Sequence, residues 1–91
     1  MNYIAALYQF TEILELHPIR QSIAKKLEEL SITGTILIGY EGINGTISAE
    51  KETKLLQAIQ FLKQILDLEN LDIKFSQSEV NPFIRLKIKL K

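Results

Sequence analysis

Four cations alternate with apolar residues at the end of the chain, where Arg85, Lys87, Lys89 and Lys91 interleave with Leu86, Ile88 and Leu90. Successive side chains of a strand point to opposite faces, so this spacing puts all four charges on one face. Such a stripe could track a phosphate backbone. It could equally be a solvated face, or an edge that its lysines protect from aggregation. The other candidate is the run Glu41, Gly42, Ile43, Asn44, Gly45. Consecutive backbone N–H groups in a Gly/Asn turn can form a concave nest for an anion. The same residue types also serve simply to reverse the chain. The run lacks the lysine and the following helix of a P-loop.

Other chemistry-bearing residues are sparse. There is no cysteine, which excludes disulfides, thiolate nucleophiles and cysteine-ligated metals, and a single histidine, His17, cannot form a histidine pair. Glu28 and Glu29 are adjacent, and adjacent helical positions do not face each other, so they make no acid–base pair. Tyr3, Tyr8, Tyr40 and Phe75 fall in strand patterns. Strand aromatics can stack on exposed bases, but half-buried strands use them mainly as core, and that is the expectation here. The Lys/Arg-Gly-aromatic signature of the RNA-recognition motif is absent from every strand. No metal or cofactor site is expected.

These candidates must be positioned by one small domain, because 91 residues suffice for a single core and little more. Lys+Arg and Asp+Glu are equal at 11 each, so bulk charge favours neither nucleic acid nor a membrane surface. The apolar runs are too short to span a bilayer and the N-terminus lacks a signal-peptide layout. A cytoplasmic location is the expectation.

Residues 35–40 and 43–47 read as the two strands of a hairpin, with Gly42, Asn44 and Gly45 supplying the positive φ of the reversal. Residues 3–10 are apolar on both alternating faces, as suits a central strand. A connection follows, in which Leu14 and Leu16 would reach the core. Pro18 then opens a helix over residues 18–30, with Ile19, Ile23, Leu27 and Leu30 on its buried side. Ser48 is the expected N-cap of a second helix, with Glu50 and Glu52 in its first turn and Leu55, Ile59, Leu62 and Leu66 inward. Two strand candidates remain, residues 71–76 and 84–90, and either could pair with the first strand. The fold class is therefore α+β: a ferredoxin-like βαββαβ sandwich whose antiparallel sheet carries both helices on one face, with an extra strand or bulged continuation at the C-terminus.

Tyr8 and Phe10, the run from Gly34 to Leu37, the run from Glu41 to Ile47, and the run from Pro82 to Lys89 occur in an order and spacing that resemble the N-terminal domain of the rhodanese-like tRNA uridine hydroxylase family. The resemblance covers nearly the whole chain. It implies an acylphosphatase-like domain at residues 1–91, followed in the same protein by a rhodanese domain whose loop cysteine is linked to oxygen-dependent hydroxylation of the wobble uridine of tRNA. That cysteine has no counterpart here, so no catalytic residue carries over. The domain is expected to be non-catalytic, contributing tRNA placement, with Arg85, Lys87 and Lys89 on phosphate and the Glu41 to Gly45 segment shaping the adjoining surface, or docking of the next domain.

Two alternatives stand beside it. One is a structural module in which an apolar sheet face bearing Tyr3, Ala5 and Leu7 packs on the downstream domain or on a second copy as a homodimer. The other is an acylphosphatase-like enzyme. Acylphosphatases use an Arg in a glycine-containing loop after the first strand together with an Asn in the sheet, and residues 11–17 contain neither Gly nor Arg.

Overall fold

The computed structural model describes Met1–Lys91. The elements follow the order β1 (Asn2–Phe10), α1 (Leu16–Glu29), β2 (Thr33–Gly39), β3 (Gly42–Ala49), α2 (Glu52–Ile65), β4 (Asp72–Ser78) and β5 (Leu86–Leu90). They form one five-stranded sheet in the order β4-β1-β3-β2-β5. β1 through β4 pair antiparallel as the ferredoxin-like plan requires, and β4 is the partner of β1. β5 joins the far edge parallel to β2, which makes the sheet mixed rather than wholly antiparallel. Neither helix is long and apolar enough to cross a membrane.

Both helices pack on one face, α1 over β2 and β5 and α2 over β1 and β3. Their apolar stripes meet alternate residues of the strands: Ile23 and Leu27 of α1, Leu55 and Leu62 of α2, and Ala5, Ile36, Ile38 and Ile47 of the sheet are all buried. Burial of this kind stabilises by about 25 cal/mol per Å² of apolar surface, which outweighs the weak intrinsic propensity of two 14-residue helices.

Helix α1 starts two residues before Pro18, which places the proline within the first turn, where its missing N–H has no helical partner to lose. Both helices stop in the same way. Ser31 (φ 59°) and Asp67 (φ 54°) adopt left-handed backbone. The Ile32 N–H then reaches back to the Leu27 carbonyl at 2.9 Å, and the Leu68 N–H to that of Lys63 at 2.8 Å. This pattern satisfies carbonyls that the last helical turn would otherwise leave without partners.

Three local expectations change. Ser48 is not a helix cap, because β3 continues in register with β1 to Ala49 and carries Ser48 into the sheet as a buried residue. The N-cap of α2 is Lys51, whose extended backbone suits the position but whose side chain makes no capping bond, and Glu52 alone is acidic in the first turn. Lys51→Asp supplies the missing acceptor and is expected to raise stability by about 1 kcal/mol, measured by urea unfolding. In the connection after β1, Ile13 is buried with Leu16, whereas Leu14 is 73% exposed. The Ile13 N–H donates to the Tyr40 carbonyl, and that bond fixes which side chain turns inward.

Candidate nucleic-acid interface

With both helices on one side, the other face of the sheet lies open toward its turn end, while at the opposite end Asn2 and Ser48 are buried and Asn81 bonds the Thr33 hydroxyl. Alternation along each strand decides what it displays. β1 turns Ile4, Ala6, Tyr8 and Phe10 outward while Ala5 and Leu7 are buried under the helices and Tyr3 packs against the core. The expected apolar open face of Tyr3, Ala5 and Leu7 is therefore reversed, since those residues form part of the core. β3 contributes Asn44 and Thr46, and β2 contributes Thr35 and Leu37, each opposite its neighbour in the pairing register. One row across the sheet reads Lys74, Ala6, Thr46, Thr35, Lys87, and the next reads Asp72, Tyr8, Asn44, Leu37, Lys89. The open face thus mixes small and polar side chains with the apolar Ile4, Tyr8, Phe10 and Leu37, with lysine at the β5 end of each row and Asp72 at the β4 end of the second.

The β5 lysines owe their direction to their neighbours. Ile88 is buried against α1, so Lys87 and Lys89 must point the other way. The Arg20 guanidinium of α1 donates from Nε to the Ile88 carbonyl at 2.8 Å and fastens the helix to this edge strand. Pairing continues beyond the strand, with the Lys91 N–H donating to the Ile38 carbonyl at 2.7 Å. Arg85 is exposed immediately before β5, where its carbonyl accepts the Gly34 N–H at 3.0 Å.

The Glu41 to Gly45 segment is not a five-residue turn. Gly39 pairs with Gly42, so the reversal consists of Tyr40 and Glu41, and Gly42, Asn44 and Gly45 belong to β3. Gly42 and Gly45 do have positive φ, but they use it inside the sheet. The turn directs its carbonyls toward residues 11–13: the Thr11 N–H donates to Glu41 and the Ile13 N–H to Tyr40. Asn44 lies on the open face beside Tyr8. No group of three or more His, Asp or Glu side chains is arranged to hold a metal ion.

The aromatic residues expected in the core are largely outside it. Tyr8 is 50% exposed, Tyr40 64% and Phe75 56%, and Phe10 reaches 69%. Tyr8 and Phe10, two residues apart on the outward side of β1, meet edge to face with ring centroids 5.2 Å apart. With Tyr40, Asn44, Gly39 and Lys91 they surround an open cavity of about 270 Å³ at the turn end of the sheet. A legible signal for this surface exists in β3, where Asn44 and Thr46 are polar and Ile43 and Ile47 apolar, although Ser48, which continues the alternation, is buried. That alternation identifies the uncovered face, and with it the direction of Tyr8.

The structure brings Lys87, Lys89, Lys91 and Asn44 onto one surface. Gly42 and Gly45 shape the strand beneath it, while Glu41 stays in the turn at its rim. His17 lies in the first turn of α1, exposed. Residues 11–15 offer no arginine to an acyl phosphate, and Arg20 has its Nε committed to β5.

Comparison with known proteins agrees with this architecture. Residues 2–91 match the UPF0176 acylphosphatase like domain. A protein of Nitrobacter hamburgensis named tRNA uridine(34) hydroxylase is 40% identical over 94 aligned residues, covering all of this chain and 37% of that protein. A Mesorhizobium japonicum protein of the same name is 35% identical over 88 residues, covering 97% of this chain and 28% of its own length. The chain thus spans about a third of the length of the curated relatives it matches. Acylphosphatase from Bacillus subtilis superposes with a TM-score of 0.71, at 12% identity, over 97% of this chain and 98% of that one, a likeness of fold alone. The matched domain, the identity to these longer proteins and the acylphosphatase-like sheet agree, and the chain belongs to the UPF0176 acylphosphatase like domain family.

Proposed function

We propose that this domain positions tRNA for a uridine-34 modification whose reactive group lies elsewhere in the same protein, in a downstream rhodanese domain. The observation that carries the reading is the lysine row: Lys87 and Lys89 project from an edge strand onto a helix-free sheet face, in rows with Thr35, Thr46 and Asn44 and with the aromatic Tyr8. Relatives named tRNA uridine(34) hydroxylase support the substrate class. The composition supports the division of labour, since rhodanese-type chemistry runs through a cysteine thiolate and this chain has no cysteine. Phosphate contacts set affinity and orientation, while the chemistry is left to a neighbouring domain. A tRNA partner also fits work in the cytoplasm.

The test is tRNA binding by the protein that carries this domain, with Arg85, Lys87 and Lys89 changed together to alanine. Every phosphate that the protein ceases to neutralise lowers the slope of log K against log salt by about 0.7–0.9, so the triple variant is expected to lose about 2 from the slope and at least tenfold in affinity. All three side chains are exposed, so its melting temperature should stay close to that of the parent. Unchanged affinity with an unchanged slope removes the proposal.

A further inference from the structure

We infer that the cavity bounded by Tyr8, Phe10, Tyr40, Asn44 and Lys91 is a stacking site for one unpaired nucleobase, a reading that rests on the tRNA-placement function above. Three aromatic residues, each at least half exposed, converge on one cavity of about 270 Å³. Exposed aromatic clusters are costly to leave in water and mark contact sites. What distinguishes the occupant is the surrounding chemistry. Lys91 and Glu41 line the cavity itself, and Lys89 stands in the same cross-sheet row as Tyr8 and Asn44, with Asp72 at that row's far end. An apolar protein partner would meet Asn44, Glu41 and the lysines around the rings, whereas a nucleotide matches both parts, its base on the rings and its phosphate on the ammonium groups.

The geometry favours a single splayed base over a duplex. Tyr8 and Phe10 hold each other edge to face, so neither ring has to be ordered on binding. Asn44 offers an amide donor and acceptor suited to the edge of a base held there. Gly39 lets the Lys91 side chain lie across the sheet: a Cβ on Gly39 would come within 3.2 Å of the Lys91 Cβ and 3.7 Å of its Cδ. The lysine stem is thereby directed over the end of β2 toward the cavity. Base stacking of this kind tolerates any base, so sequence preference must come from Asn44 or from other parts of the protein.

Binding of an eight-nucleotide oligouridylate to the protein carrying this domain tests the inference, with an abasic octamer of the same backbone and an RNA duplex as comparators. The parent should bind the oligouridylate at least tenfold more tightly than the abasic strand, and more tightly than the duplex. Tyr8→Leu, Phe10→Leu and Tyr40→Ser should each weaken oligouridylate binding about five- to tenfold and leave both the salt slope and abasic binding unchanged. The three sites are exposed, and circular dichroism confirms that each variant is folded. If aromatic variants bind like the parent while the Arg85, Lys87 and Lys89 variant is weakened, the stacking site is refuted and the placement function stands. If the charge variant also binds like the parent, both are refuted. Equal affinity for abasic and base-bearing strands likewise overturns the stacking site.

Discussion

Gly45→Ala is expected to lower the melting temperature of the domain by about 15 °C or more, a large effect for one added methyl group. Gly45 sits in β3 between Leu7 of β1 and Ile36 of β2, and its φ is +156°. A Cβ there would lie 2.2 Å from the Thr35 carbonyl oxygen and 2.8 Å from the Ile36 Cα. Both are backbone atoms of a strand paired on each side, so neither can move aside without parting the sheet. The combined clash and unfavourable φ cost about 3 kcal/mol or more, a large share of the 5–15 kcal/mol typical of a whole domain. Gly39→Ala is the internal control. Its added methyl meets the Lys91 Cβ at 3.2 Å, which a shift of a few tenths of an ångström just beyond the edge strand relieves, so its melting temperature should fall by about 5 °C at most. Equal melting temperatures for the two variants, read by circular dichroism, would refute the close-packing explanation of Gly45.

That pair of glycines also shows where sequence reasoning reaches and where it stops. The periodicity of Ile23 and Leu27, and of Leu55, Ile59 and Leu62, announced two helices because each must bury one stripe against the sheet. The hairpin was equally legible from its β-branched flanks. Its turn was misplaced because Gly, Asn and Gly suggest a reversal wherever they cluster, whereas here two glycines permit close approach between neighbouring strands and the reversal falls on Tyr40 and Glu41. The start of α2 depended on how far β3 runs beside β1, a nonlocal pairing that overrode the capping preference of Ser48. The same limit applied to β5: nothing local in alternating Leu, Lys and Ile states that it will lie parallel to β2.

The candidate site divided along similar lines. The lysine stripe was visible because its period of two is a property of the strand itself. The direction of Tyr8 and Phe10 was not visible in β1, where both alternating faces are apolar and either could have been the buried one. The polar alternation of Asn44 and Thr46 resolves that ambiguity only once β3 is known to pair with β1. Function at this surface therefore depends on register: a shift of one residue between these strands would exchange Leu7 for Tyr8 on the open face and bury the rings.

The same dependence leads to the second large effect, at the edge strand itself. Ile88 is the buried residue of β5, 6% exposed, and together with half-buried Leu86 it seats that strand beneath α1. Ile88→Asp places an unpaired carboxylate where the core expects a branched alkyl group, at a cost of about 3–5 kcal/mol. Strand β5 lies at the end of the sheet, bonded to one strand alone, so the least costly response is for it to detach while the β4-β1-β3-β2 sheet keeps its pairing. Hydrogen exchange should then show loss of protection at the Gly34 and Lys91 amides, which bond across the β2–β5 boundary, with protection retained at the amides that join β1 to β3. Lys87 and Lys89 remain in the chain but no longer stand in a row, and tRNA affinity should fall to the level of the variant lacking Arg85, Lys87 and Lys89. Because Ile88→Asp also adds a carboxylate between Lys87 and Lys89, the uncharged Ile88→Asn is its partner variant. Detachment of β5 in that variant with tRNA affinity intact would mean that charge count, not placement on the sheet, governs binding.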